Sequence, residues 1–105
     1  MSVTQITDSN YTNEIKDGLS IVKFYADWCG SCRLFAPKFK RMSDDDSFSD
    51  LKFLEVDAEN NPAFRATAEV TNLPFFGIYK NGEFIKGVST AKEEALIEMI
   101  NEVRN

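Results

Sequence analysis

The sequence has no histidine and only two cysteines among its 105 residues. A zinc site within one chain usually needs four ligands, supplied by further cysteines or histidines, so this composition argues against a resident metal. No stretch approaches the roughly 18 apolar residues of a membrane-spanning helix. The first residues, MSVTQITDSN, have neither the basic start nor the apolar core of a secretory signal. We therefore expect a cytoplasmic protein without a bound metal and without a membrane partner.

Basic residues are also scarce relative to acidic ones. The chain has 12 Lys and Arg against 17 Asp and Glu, a formal net charge of -5. Proteins bind nucleic acids through clustered Lys and Arg, so no nucleic-acid partner is expected. With 43% hydrophobic residues, the chain can bury one compact core. Without repeats or linker-like segments, residues 1–105 are expected to form a single domain, and the protein is expected to be a monomer.

Apolar patterning predicts alternating strands and helices. The runs LSIVKFYA (19–26) and LKFLEVDA (51–58) are nearly continuous in apolar residues, which is typical of strands covered on both faces. Asn81 and Gly82 separate FFGIYK from EFIKGV and are a strong hairpin signal. These patterns, with their intervening helices, predict an α/β fold with a mixed sheet and helices on both faces. The predicted strands are at 3–6, 19–26, 51–58, 75–80 and 83–88. One predicted helix is capped within Thr7–Ser9, one follows the cysteines, and one is capped by Asn60 or Asn61. The last helix begins with a capping box, TAKE, at 90–93.

The two cysteines lie three residues apart, between a predicted strand and a predicted helix. At a helix N-terminus, unpaired backbone N–H groups and the helix dipole lower the pKa of a thiol, so Cys29 is the predicted nucleophile. Cys32, one turn further, is expected to be more buried and to resolve a mixed disulfide intramolecularly. A purely structural disulfide closing so short a loop would contribute only about 2 kcal/mol. A redox pair is favoured over that alternative and over a metal shared between two chains.

Several motifs together resemble the thioredoxin family. They are WCGSC at the strand–helix junction, Pro37 inside the following helix, Pro74 before the hairpin, and KNGE at its turn. The resemblance covers nearly the whole chain. It implies the thioredoxin fold, in which a central mixed five-stranded sheet is flanked by four helices.

The resemblance also implies an activity. It indicates a thiol-disulfide oxidoreductase that reduces protein disulfides through Cys29 and Cys32, with no bound cofactor beyond that redox-active disulfide. A thioredoxin-reductase-like flavoprotein using NADPH is the implied electron donor. Two alternatives stay open: a thioredoxin-fold interaction module, and a dedicated redox partner of one protein with little general reductase activity.

The resemblance further implies a substrate-binding surface around the cysteines. In the family, the proline that matches Pro74 is cis and lies against the disulfide, so the backbone of Leu73 is offered to an extended substrate segment. Trp28 is expected to be partly exposed, with Asp57 either accepting its indole N–H or serving as a plain strand-end carboxylate. The expected substrate-binding residues are Trp28, Gly30, Ser31, Leu73, Pro74, Phe75 and Thr90.

Some residues depart from the family's pattern. Phe75 replaces a small polar residue and Thr90 replaces a small residue, which predicts a more apolar and narrower groove. Lys23 stands where the family has a buried aspartate beneath the second cysteine, and Phe53 is taken to occupy the partner position of the family's lysine. Lys23 either reaches solvent or pairs with Glu55, or it manages the proton of the second thiol as an acceptor or as a cation. Lys23 and Glu55 are therefore the proton-handling candidates.

Ser31 generates a prediction about the reduction potential. Thioredoxins usually have proline here, and serine restores a backbone N–H near Cys29 that favours the thiolate. A stabilised reduced form makes a more oxidising couple, so we expect a potential above the family's roughly −270 mV. Equilibrium titration against glutathione measures it, and an equal or lower value would contradict the prediction.

Overall fold

The computed structural model describes residues 2–104. The elements follow one another in the predicted order, so the expected α/β fold with five strands and four α-helices is confirmed. No helix in this described range is long and apolar enough to cross a membrane. The strands are β1 (Val3–Gln5), β2 (Leu19–Tyr25), β3 (Leu51–Asp57), β4 (Phe75–Lys80) and β5 (Glu83–Ser89). The helices are α1 (Tyr11–Glu14), α2 (Gly30–Ser43), α3 (Pro62–Thr67) and α4 (Glu93–Arg104), with a short 3₁₀ helix, Asp46–Phe48, before β3.

The strands form one mixed sheet in the order β1-β3-β2-β4-β5. Strand β3 runs parallel to β1 and β2, whereas β4 is antiparallel to β2 and β5. In this register Ile21 pairs with Phe53 and Lys23 pairs with Glu55. The residue opposite Lys23 is therefore Glu55, and the match of Phe53 to the position of the family's lysine stays a prediction. Phe53 and Glu55 point to the same side of β3, two residues apart.

Apolar side chains cover both faces of the sheet. One cluster joins Ile21 and Phe53 to α2 and α4, and the other joins Val22 and Leu54 to the α1 and α3 side. Successive residues of β2 therefore enter different clusters, as the two-residue period of a strand requires. This double burial explains why β2 and β3 read as nearly continuous apolar runs.

The hairpin between β4 and β5 is confirmed. Asn81 and Gly82 both have positive φ, 51° and 88°, which a tight two-residue turn of this kind requires. The Asn81 side chain also accepts a hydrogen bond from the backbone N–H of Gly18, at 2.8 Å. The hairpin turn is thereby tied to the turn that leads into β2.

Two predicted helix caps differ from the structure. Helix α1 begins at Tyr11 rather than directly after Thr7–Ser9, and the Thr7 backbone N–H instead donates to Asn10 Oδ1 at 2.8 Å in the preceding turn. The TAKE capping box is not formed. Helix α4 begins at Glu93, whose carboxylate pairs with Arg41 of α2 at 3.0 Å. In a capping box, the Glu93 carboxylate would accept a hydrogen bond from the backbone N–H of Thr90. Here that carboxylate is paired with Arg41 instead.

Helix α3 is capped by a side chain from outside the helix. The Asp8 carboxylate accepts hydrogen bonds from the backbone N–H groups of Ala63 (3.0 Å) and Phe64 (2.9 Å). Asn61, at the N-cap position, instead uses its side-chain oxygen to accept from the Asp8 backbone N–H at 2.7 Å. Asp8 thereby satisfies two donors that the start of a helix leaves unpaired.

We expect Asp8→Ala to lower the free energy of unfolding by about 1–2 kcal/mol, because two helix donors lose their acceptor. Urea denaturation measures the change. Asp17→Ala removes the same charge from an exposed site and should change stability by less than about 0.5 kcal/mol. Equal losses in the two variants would contradict the capping role.

Candidate active site

The two cysteines form a disulfide at the start of α2, with their Cα atoms 5.3 Å apart. Cys29 is the N-cap residue, and its Sγ accepts a hydrogen bond from the backbone N–H of Cys32 at 3.2 Å. The sulfur of Cys29 thus occupies the place where a capping oxygen normally meets the unpaired N–H groups of a helix. After reduction, the same donors and the helix dipole favour a thiolate on Cys29.

Both cysteines are buried in this disulfide form. Cys29 is 5% exposed and Cys32 is 3% exposed, so Cys32 is the more buried cysteine, as expected, but only by a small margin in the oxidised state. The two sulfurs are bonded to each other and pack with Ala26, Tyr25 and Leu73. Sequence reasoning considered the cysteines as separate thiols and therefore overestimated their difference.

Ser31 adds a hydroxyl to this site. Its Oγ lies 3.6 Å from Cys29 Sγ, and either atom can be the donor in that contact. When Cys29 is a thiolate, the hydroxyl is the only donor of the two. Serine thus contributes a side-chain contact in addition to the backbone N–H that it restores, and sequence alone does not indicate that contact.

Trp28 projects beside the disulfide and is 67% exposed. Its indole N–H donates to Glu59 Oε1 at 3.0 Å, so the alternative in which Asp57 accepts this proton is wrong. Asp57 instead accepts from the Glu59 backbone N–H at 3.0 Å and from Asn60 Nδ2 at 2.7 Å. Asp57 thus shapes the loop that presents Glu59. The second oxygen of Glu59 lies 3.6 Å from Arg65 Nη1.

The peptide bond between Leu73 and Pro74 is cis, which confirms the expectation from the resemblance. Leu73 is half-buried and packs against Ala26, Cys29 and Cys32, whereas Pro74 is buried. The structure therefore brings the segment before β4 directly against the disulfide. Gly30 and Ser31 are exposed at the start of α2.

Phe75 packs mainly into the core. Its ring centroid lies 5.9 Å from that of Phe24 and 6.5 Å from that of Phe84. The ring also covers Gly87, where an added Cβ would lie 2.3 Å from Phe75 Cζ. Thr90 is half-buried, and its Oγ1 accepts from the Lys92 backbone N–H at 3.1 Å. The roles of Phe75 and Thr90 in a substrate groove stay predictions.

Lys23 is buried, at 3% exposure, on the face of the sheet that α2 covers. Its Nζ lies 3.4 Å from Glu55 Oε1 and within 6 Å of two ring centroids, Phe39 at 5.6 Å and Tyr25 at 5.7 Å. The Glu55 side chain is 28% exposed. The expected Lys23–Glu55 ion pair is therefore present. Its cation is enclosed and its carboxylate reaches the solvent.

This ion pair shares a cavity with Cys32. The cavity has a volume of about 250 Å³. Its walls combine apolar surface with groups of both charges and a phenol, and its volume is large enough for several water molecules. The lining residues are Lys23, Tyr25, Ala26, Asp27, Cys32, Arg33, Ala36 and Glu55.

The phenol of Tyr25 stays neutral in this setting. Burial raises the pKa of Tyr25, and the hydrogen bond to Gln5 Oε1, at 3.0 Å, opposes the rise only in part. The negative charges of Glu55, Asp57 and Asp27 raise the pKa further. Tyr25 therefore contributes a dipole to the cavity wall and no charge near neutral pH.

A family model described as Thioredoxin matches residues 2–102. The chain belongs to the thioredoxin family. Thioredoxin-1 from Schizosaccharomyces pombe is 41% identical over 101 residues, which cover 91% of this chain and 96% of that protein. Thioredoxin from Staphylococcus haemolyticus is 34% identical, covering 96% of this chain and 97% of that protein.

Solved thioredoxin structures also match closely. A chain of the complex between ferredoxin:thioredoxin reductase and thioredoxin f2 has a TM-score of 0.90 and 28% identity, covering 99% of this chain and 96% of that chain. Thioredoxin f from spinach chloroplast, in its short form, has a TM-score of 0.90 and 25% identity, covering 99% and 95%. The thioredoxin fold predicted from the motifs is confirmed.

The family and the disulfide together define the activity. The protein is a protein-disulfide oxidoreductase that acts by dithiol-disulfide exchange through Cys29 and Cys32. Within residues 2–104, no group of three or more His, Cys, Asp or Glu side chains could hold a metal ion. The redox-active group that the structure shows is the disulfide itself.

Proposed function

We propose that the protein is a monomeric, single-domain electron carrier of the cytoplasm that takes electrons from a reductase and passes them to disulfides in other proteins. In this role it contributes to electron transport and to cell redox homeostasis. The observation that carries the proposal is the Cys29–Cys32 disulfide at the N-terminus of α2. No bound cofactor is needed, because the dithiol holds both electrons.

The proposed electron donor is a thioredoxin-reductase-like flavoprotein. A reductase of some kind is supported by the similar thioredoxin f2, whose structure is that of a complex with ferredoxin:thioredoxin reductase. The proposed electron acceptors are protein disulfides. One similar structure concerns how the thiol of a yeast mitochondrial 1-Cys peroxiredoxin is resolved via glutathione/thioredoxin systems. That structure supports a protein as the substrate of the exchange.

The exchange proceeds in two balanced steps. The Cys29 thiolate attacks one sulfur of the substrate disulfide, so that a mixed disulfide forms and the other substrate sulfur leaves as a thiolate. The Cys32 thiolate then attacks Cys29 Sγ, forms the internal disulfide and releases the second substrate thiolate. Two electrons pass from the dithiol to the substrate, and the two released thiolates take up protons.

The substrate is proposed to lie across the surface beside the disulfide. Trp28 is exposed and held by Glu59, and Leu73 packs against the cysteines in the short segment that leads into β4. A substrate strand can therefore pair with the Leu73 backbone while its cysteine faces Cys29. The proposed contact residues are Trp28, Gly30, Ser31, Leu73, Pro74, Phe75 and Thr90.

The Lys23–Glu55 ion pair is proposed to manage the proton of Cys32. A cation that shares the cavity with Cys32 favours its thiolate, and the Lys23 ammonium lies 3.4 Å from the Glu55 carboxylate. Glu55 is the more exposed partner, so it can pass a proton between cavity water and the solvent. Asp27, Arg33 and the neutral Tyr25 face the same cavity, so the potential at Cys32 depends on all of these groups.

Serine substitutions test the order of attack. Cys32→Ser is expected to accumulate mixed disulfides with substrates, because the resolving thiol is missing, whereas Cys29→Ser should form none. Both variants should lose about 100-fold or more of the turnover in a protein-disulfide reduction assay, because the intramolecular step is gone. Mixed disulfides formed by Cys29→Ser, or wild-type turnover no faster than that of a free dithiol, would contradict the proposed function.

Charge variants test the proton-handling role. In a Cys29→Ser background, Lys23→Met should raise the pKa of Cys32, because it removes the cation that favours the thiolate. Glu55→Gln should lower the pKa of Cys32, because it removes the carboxylate that partly neutralises that cation. The pH dependence of Cys32 alkylation measures both. Because the chain has no histidine, no imidazole titrates in the same range.

Two further variants act as controls for this measurement. Lys23→Arg retains the positive charge and should leave the titration of Cys32 close to that of the parent. Lys86→Met removes a lysine from an exposed ion pair with Glu102, at 2.8 Å, and should have no effect. An unchanged Cys32 titration in a folded Lys23→Met variant would end the proton-handling proposal.

A further inference from the structure

Basic residues are concentrated on the active-site helix. The chain as a whole has more acidic than basic residues, yet residues 28–43 contain no Asp or Glu. This interval begins at Trp28 and ends with the last residue of α2. It contains one third of the 12 Lys and Arg of the chain, namely Arg33, Lys38, Lys40 and Arg41. The active-site helix is therefore a positive element in a negatively charged protein.

The basic residues of α2 point away from the core. Cys32, Phe35, Phe39 and Met42 are buried along one side of the helix. With 3.6 residues per turn, the opposite side presents a different set of residues, all of which are exposed. We call this set the basic face; it consists of Arg33, Leu34, Pro37, Lys38, Lys40 and Arg41. Leu34, at 78% exposure, is the large apolar side chain of a face that also carries four cations.

The two halves of the basic face differ in how far their charges are neutralised. At the end far from the disulfide, Arg41 pairs with Glu93 at 3.0 Å and Lys40 lies 3.8 Å from Asp44. Nearer the disulfide, Arg33 donates to the backbone carbonyl of Asp27, and Lys38 lies over the ring of Phe35, 5.9 Å from its centroid.

The latter two contacts involve neutral groups. Arg33 also borders the cavity that Asp27 and Glu55 line, but its guanidinium hydrogen bond is to a neutral carbonyl. Arg33 and Lys38 therefore keep their charge available to a partner, on either side of the exposed Leu34. The carboxylate of Glu59, the acid that holds Trp28, is already shared between the indole and Arg65. The active-site end of the basic face thus offers two cations and an apolar contact.

We propose that the basic face is a docking surface for disulfide-bearing protein segments with acidic residues close to the disulfide. The proposal rests on the proposed function and specifies the substrate class of that site. Complementary charge accelerates encounter and fixes orientation, and Leu34 supplies a desolvated contact between the two cations. Substrates with acidic flanks are therefore preferred over neutral ones.

The positions of the cations set the spacing of the acidic residues. Arg33 lies one turn after Cys29, and its backbone N–H donates to the Cys29 carbonyl at 3.3 Å. Arg33 and Lys38 are thus roughly 6 Å and 13 Å from Cys29 along the helix. An extended segment advances about 3.3 Å per residue, so acidic residues about two and four residues from the attacked cysteine face these cations.

Two matched peptides test this preference. Each is a disulfide-linked dimer, with Glu at the second and fourth residues from the cysteine in one and Gln at the same places in the other. The measured quantity is the ratio of kcat/KM for the two peptides, and bis(2-hydroxyethyl) disulfide serves as a neutral reference substrate. For wild type we expect a ratio of about 10 at low salt, falling towards one at about 0.5 M salt as screening increases.

Two double variants of equal net charge locate the effect. Arg33→Gln with Lys38→Gln should bring the ratio close to one. Lys52→Gln with Lys86→Gln removes two exposed cations from strands β3 and β5 and should keep the wild-type ratio. If the second pair lowers the ratio as much as the first, net charge rather than the basic face is responsible, and the proposal is overturned.

The remaining outcomes separate this proposal from the function on which it rests. If wild type reduces the two peptides equally well, the docking proposal fails and the redox function stands. Failure to reduce either peptide or the reference disulfide overturns both. Salt-sensitive self-association that the Arg33 and Lys38 substitutions abolish would assign the basic face to a second copy of the chain and overturn the proposal.

Discussion

Burial of β2 on both faces is the constraint on which the site depends. The strand lies between β3 and β4, so its side chains alternate between the two clusters of the core. Lys23 belongs to this strand and is enclosed, which is why it needs the carboxylate that the register places opposite it. The strand ends at Tyr25, and the chain then turns into α2 with Cys29 as its N-cap. One buried strand therefore fixes both the disulfide and the charge near it.

The buried pair differs from the arrangement that the resemblance implies. The family has an aspartate at the position of Lys23 and a lysine nearby on the neighbouring strand, whereas this chain has a lysine with Glu55 opposite it on β3. The group enclosed beside Cys32 is therefore a cation, and its carboxylate partner is the more exposed member of the pair. In the proposed proton-handling role, thiolate stabilisation and proton transfer are assigned to two different residues.

The fold was predictable from short-range signals. Asn81 and Gly82 mark the hairpin because few other residues adopt positive φ, and double burial leaves its apolar signature on β2 and β3. What escaped prediction depends on long-range partners. The cap of α3 comes from Asp8, more than 50 residues earlier, and the indole of Trp28 meets Glu59 rather than Asp57. Spacing in the sequence contains no information on which of two nearby carboxylates a loop will present.

Trp28 has a consequence for observing the protein at work. It is the only tryptophan of the chain, it is exposed next to Cys29, and its indole is anchored by Glu59. Disulfides quench indole emission at short range, whereas thiols do so less. The intrinsic fluorescence of the protein therefore comes from one indole directly before the redox-active pair, and its intensity is expected to differ between the disulfide and dithiol states. Such a difference would allow electron transfer to be followed without an attached label.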